Sequence, residues 1–126
     1  MMKDNTEIEN NPVVVAAKAN IEQNQKLIDL QEAYKRLRSD PDYQLVIEES
    51  YFKEEAARVT EILTEPSVVN REVMDNLVDQ LTSIRNLKSH LHLIDVKAFN
   101  AKKYIADDED TIEQVENGTY VSYDEE

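Results

Sequence analysis

An apolar residue returns at every seventh position from Leu77 to Ile112: Leu77, Ile84, Leu91, Ala98, Ile105 and Ile112. The companion positions Val73, Gln80, Leu87, Ile94, Ala101, Asp108 and Val115 are apolar in five of seven cases. A seven-residue repeat sustained this long belongs to one long α-helix that lays a continuous seam on other helices. A strand cannot use it, because strand faces alternate at every second residue. The seam residues Leu77, Ile84, Leu87, Leu91, Ile94, Ala98, Ala101, Ile105 and Ile112 are therefore the leading interface candidates. Asn70 or Ser67 can cap this third helix, and Asn117-Gly118 is a good stop. The polar interruption Asp108 sits in the run Asp107-Asp108-Glu109-Asp110, and the sequence leaves open whether the helix runs straight through it or weakens and bends before resuming at Thr111–Glu116.

The rest of the chain supplies the partners. Asn11-Pro12 reads as an N-cap followed by proline at the first helical position, opening a first helix from Pro12 to about Arg38. Leu27, Leu30, Tyr34 and Leu37 form its apolar stripe, with Ile21 and Ile28 alongside. Its basic end (Lys35, Arg36, Arg38) suits the negative end of the helix dipole. Ser39-Asp40-Pro41-Asp42 is a break and restart, with Asp40 as cap and Pro41 as first residue of a second helix running to about Thr64. The apolar positions there are Leu45, Phe52, Ala56, Val59 and Leu63, widened by Val46, Ile47 and Ile62. Glu65-Pro66-Ser67 ends it.

These readings predict an all-α fold, two antiparallel helices packed on a long third. Residues 1–11 form a flexible arm, 12–117 a three-helix coiled-coil domain, and 118–126 an acidic, extended tail. The single glycine, Gly118, and the three prolines leave too few turns for a sandwich, a barrel or a multi-turn α/β fold. The first two helices would each span roughly 35–40 Å and the third roughly 55–70 Å. The third would then project past its neighbours, and its seam would need a partner outside the chain. In the tail, Tyr120, Val121 and Tyr123 follow the helix stop, and such an aromatic, acidic peptide suits a partner's groove or sheet edge.

Charge narrows the function classes. The net charge is −13, divided as −1 over residues 1–40, −5 over 41–70, +2 over 71–105 and −9 over 106–126. A chain this acidic repels phosphate backbones, and its net-positive stretch carries its cations along a helix without an aromatic stacking platform. Direct sequence-specific nucleic-acid binding is not expected. With no cysteine there is no disulfide framework and no thiolate metal site, which fits a reducing cytoplasm. No apolar run reaches membrane-spanning length, and the polar, acidic start is unlike a signal peptide.

Chemistry is hard to build from this inventory. His90 and His92 stand two residues apart on a helix, pointing to opposite sides, and cannot share a metal ion. His92 and Asp95 can form a weak pair at i, i+3. The runs Glu48-Glu49, Glu54-Glu55 and Asp107–Asp110 read as solvated faces, and the last lacks the glycine and spaced ligands of a calcium loop. There is no glycine-rich phosphate loop, serine elbow or zinc helix. No enzyme activity, cofactor or metal is expected. Tyr43, Tyr51 and Phe52 can anchor a partner, but packing of this cluster against Tyr34 and Leu37 across the short turn is the favoured reading.

One resemblance adds to this. The chain reads Leu37-Arg-Ser-Asp-Pro-Asp-Tyr, then Ile47-Glu-Glu-Ser-Tyr-Phe-Lys-Glu-Glu-Ala-Ala-Arg-Val, then the Glu65-Pro66 break. Leu81-Thr-Ser-Ile-Arg-Asn-Leu-Lys-Ser-His-Leu follows, with Ala98 and Ala101 beyond. Over roughly residues 27–115 this resembles a group of short helical proteins encoded by tailed bacteriophages, often among their virion structural genes. Its most distinctive part is Tyr51-Phe52-Lys53-Glu54-Glu55-Ala56-Ala57-Arg58, with Ser50 where the group usually has glycine. The resemblance implies a virion structural or assembly protein, of head, head–tail or scaffold type, made in the host cytoplasm and ending in the particle. Its partners would be copies of itself and other phage structural proteins. It carries over no active site. Two alternatives stand beside it: an acidic inhibitor that mimics DNA in a host enzyme's basic cleft, and a packaging-motor small subunit.

Overall fold

The computed structural model describes residues 5–65, 67 and 70–121. Every regular element among them is helical: α1 (Asn5–Glu9), α2 (Pro12–Arg38), α3 (Pro41–Tyr43), a π-helical stretch (Gln44–Glu55), α4 (Ala56–Leu63) and α5 (Arg71–Glu116). The all-α fold read from the heptads is the fold observed, with no strand among the described residues.

Three side-chain caps set where the main helices begin. The Asn11 carboxamide oxygen accepts from the Val13 amide at 2.9 Å. Asp40 accepts from Asp42 at 2.7 Å and from Tyr43 at 3.3 Å, and Asn70 accepts from Glu72 at 2.9 Å. Each satisfies amides that the first helical turn leaves without carbonyl partners. Pro12 and Pro41 occupy first helical positions, where a missing N–H costs nothing. The break between α2 and α3 is closed locally. Ser39 Oγ donates to the Lys35 carbonyl and Gln44 Nε2 to the Arg38 carbonyl, both at 2.9 Å.

The stop at Asn117-Gly118 has a defined form. Gly118 takes φ +71°, the left-handed conformation that costs a residue without a Cβ little. Its amide donates to the Val115 carbonyl at 3.2 Å, and the Thr119 amide to the Gln114 carbonyl at 2.8 Å. These are the two bonds of a Schellman close.

Several expectations need correction. Residues 5–9 form the short helix α1 rather than a flexible arm, and the Asn11 amide donates to the Ile8 carbonyl at 3.2 Å. Residues 1–4 of that arm lie outside the described residues, as does Pro66 of the helix-ending segment. The long helix does not break at Asp107–Asp110; α5 is one helix of 46 residues. Thr111 Oγ1 donates to the Asp107 carbonyl and Gln114 Nε2 to the Asp110 carboxylate there, so local bonds accompany the acidic turn.

The chain divides into two compact units, residues 1–31 with 96–126 and residues 32–95. In the first, Val14, Ala17, Ala98, Ala101 and Val115 are buried, and the start of α2 meets the end of α5 where Asn11, Val115, Gly118 and Tyr120 line a small cavity. In the second, Val59, Leu77, Ile84 and Ile94 are buried. Its direction is read from three contacts: Arg38 with Asp95, Lys88 over the Phe52 ring, and Arg58 with Gln80. Rising numbers on one side meet falling numbers on α5, so the pairing is antiparallel. The far part of α5 thus does not project without a partner; residues 96–116 share a unit with the first half of α2. The expected length mismatch is overturned because α2 and the later helices pair with different portions of α5.

The faces of the partner helices also differ from the predicted stripes. On α2, Leu30 and Leu37 are each half exposed, whereas Gln31 is buried and Asn24 and Arg38 are half-buried. The inward set is Ala17, Asn24, Gln31 and Arg38 at steps of seven, flanked by Leu27 and Tyr34. In the π stretch, Leu45 is 63% exposed although α-helical spacing puts it on the seam. Turns wider than the 3.6 residues of an α-helix bring every fourth residue inward instead. The less exposed positions there are accordingly Ile47, Tyr51 and Glu55, with Glu48, Phe52 and Ala56 beside them.

Candidate interaction surface

The seam is spoken for inside the chain. Leu77, Ile84, Ile94, Ala98 and Ala101 are buried, and Leu87, Leu91, Ile105 and Ile112 are half-buried. They hold each unit together by apolar burial, about 1.5–3 kcal/mol for a residue such as Ile84. The five buried ones are core residues of the units, so at those positions the seam is covered within the chain.

The predicted tail site is only partly described. Val121 is 67% exposed and Tyr120 38%. The Tyr120 amide donates to the Gln114 carbonyl at 3.1 Å, so the chain turns back at the helix end instead of extending from it. Tyr123 lies outside the described residues.

What stands open to a partner is a set of residues that heptad reading passes over. Phe99 is 74% exposed, with Val96 at 37% and Tyr104 at 52% on the same helix. Lys97, Lys102 and Lys103 are exposed among them. A signal for this was present: Phe99 directly follows the seam residue Ala98, so the helical rotation of about 100° per residue turns it off the seam. In the second unit, Leu45, Val46, Val73, Met74 and Val78 are also exposed.

The best-ordered polar cluster surrounds the break between α2 and α3. Arg38 Nη1 donates to Asp95 Oδ2 at 2.9 Å, and its guanidinium lies 4.5 Å from the Tyr34 ring centre. The Tyr34 and Tyr43 rings meet edge to face at 6.4 Å. Tyr43 thus packs across the turn as the sequence favoured, while Tyr51 and Phe52 meet each other at 5.9 Å and Leu37 stays half exposed. The hydrogen bond to Asp95 raises the Arg38 pKa against the opposing effect of burial. Tyr43 is pushed up to about 12, first by burial and then by Tyr34 beside it. The enclosed Tyr43 hydroxyl makes no hydrogen bond. Asp95 is thus joined to Arg38 across 57 positions of the chain. A second, exposed pair has Arg58 Nε donating to Glu55 Oε2 at 3.1 Å; it lowers the Glu55 pKa and raises that of Arg58.

Among the described residues, no three His, Cys, Asp or Glu side chains are placed to hold a metal ion, the Asp107–Asp110 run included. A groove of about 410 Å³ runs beside Lys18, Ile21, Glu22, Gln25, Lys26 and Asp29, all on α2. The cavity at the helix ends measures about 120 Å³. Among the described residues, no helix is long and apolar enough to cross a membrane. Compared with known families, curated proteins and solved structures, the chain matches none.

Proposed function

We propose that this protein is a structural or assembly component of a bacteriophage particle that acts without catalysis, by docking exposed helix faces on copies of itself and on other virion proteins. The sequence resemblance over roughly residues 27–115 supports the particle. The exposure of Phe99 supports the mode of action: a large apolar ring stands 74% open on a helix whose seam is already filled. Exposed aromatic side chains rimmed by charge are a common form of protein–protein contact. On this reading the internal seam makes a stable scaffold, and the outer faces of α5 and the tail residues Tyr120 and Val121 carry recognition.

Mass spectrometry of purified particles from the source tests it. The protein is expected in many copies per particle, retained through high-salt washing. Absence from particles, with salt-sensitive capture of a basic host enzyme, would move the assignment to the acidic inhibitor.

A further inference from the structure

Charge on the outer side of α5 reverses along its length. From Val96 to Ala106 there is no carboxylate, and Lys97, Lys102 and Lys103 are present. From Asp107 to Glu116 there is no cation, and six carboxylates follow. Val96, Phe99, Lys103, Ala106, Asp110 and Glu113 recur at steps of three and four, which puts them on one stripe of the helix. All six are exposed. Lys102 and Lys103 make no ion pair among the described residues, and Asp110 accepts a hydrogen bond only from its neighbour Gln114, at 2.9 Å.

This order is self-complementary when the helix is turned end for end. We infer that the Val96–Glu113 stripe of α5 is the contact surface for a second copy of this chain, docked antiparallel about a two-fold axis near Ala106. Lys103 of each copy then faces Asp110 of the other, twice by symmetry, as an isologous interface requires. Ala106, small and exposed, lets the two helices approach at the axis. Each Phe99 ring covers the methylene stem of the other copy's Glu113. A further observation favours this occupant. The last turn of α5 holds no basic residue, so Glu113 and Glu116 face the negative end of the helix dipole with no cation there, and four more carboxylates precede them. Lysines of a second copy neutralise that end. A parallel partner would set like charges side by side.

The inference rests on the reading of assembly by helix docking, but its test is separate. A stripe of this length makes a weak, transient dimer. Sedimentation of the full chain from about 1 μM to about 1 mM at low salt should show a monomer–dimer equilibrium that high salt weakens. Lys103→Glu alone and Asp110→Lys alone should each weaken the dimer about tenfold or more. Mixing the two single variants should restore association, because each reversed residue then meets an opposite charge, and the double variant should dimerise by itself. Phe99→Ser should weaken dimerisation with an unchanged far-ultraviolet CD spectrum. A monomer throughout the range, or a dimer indifferent to both charge reversals, would overturn the inference. Absence from particles alongside a confirmed dimer would instead remove the virion reading and leave this surface standing.

Discussion

The two units bury the same helix by different means. In residues 1–31 with 96–126, α5 presents Ala98 and Ala101, both fully buried, and the buried side chains of α2 are Val14, Ala17 and Gln31. In residues 32–95, α5 presents Leu77, Ile84 and Ile94, and the opposing segment buries only Val59 fully. Its π stretch has no buried residue and relies on half-buried Tyr51 and Phe52. Small side chains let backbones approach closely, and large ones fill the space between helices held further apart. The same heptad repeat thus buries small side chains of α5 in one unit and larger ones, with half-buried aromatic residues opposite, in the other.

The largest break in this comparison is a cavity in the second unit. Ile84→Ala should cost about 3 kcal/mol in urea unfolding, because the aromatic, π-helical side has few small groups to move into the void. Hydrogen exchange should show the loss concentrated in residues 32–95; equal loss of protection across the chain would mean that the units do not differ in packing.

Next is the opposite change in the first unit. Ala101→Leu should cost about 2 kcal/mol by overpacking a site where the small side chain is already fully buried. The same enlargement at half-buried Ala56 in the second unit, Ala56→Leu, should cost less than half as much. Similar costs at the two positions would refute the difference in packing between the units.

The smallest effect sharpens the aromatic side. Tyr43→Phe removes an enclosed hydroxyl that makes no hydrogen bond, so stability at pH 7 should stay level or rise by about 0.5–1 kcal/mol. The sign at alkaline pH follows from linkage. The folded pKa is about 12 against an ordinary 10, so the unfolded chain ionises first. Tyr43's contribution is intact below pH 10 and lost as pH rises toward 12. The wild type should lose on the order of 1–2 kcal/mol over that window that Tyr43→Phe keeps. Parallel pH profiles for the two proteins would show that Tyr43 is not enclosed.

Much of this was legible in single residues. Asn11, Asp40 and Asn70 are short polar side chains before helical runs, and each caps where it was expected because a cap depends only on its own turn. Gly118 stops α5 for a similarly local reason. The α5 seam was legible too, since a repeat of seven determines the buried face of a long helix whatever covers it. The outward site was harder to read: Phe99 belongs to no repeat, and one aromatic off the seam looks like any other until its surroundings are known.

By itself, then, the order of residues determined that the chain is helical, where its main helices start and stop, and which face of α5 is buried. Tertiary structure alone decided what covers that face. It turned Gln31 inward and Leu30 outward, widened the turns around Leu45 and kept α5 continuous through Asp107–Asp110. The physical reason is range. Caps and periodicity act within a turn or two of one helix, whereas burial depends on which distant segment arrives opposite, and an ion pair such as Arg38–Asp95 joins residues far apart in the chain.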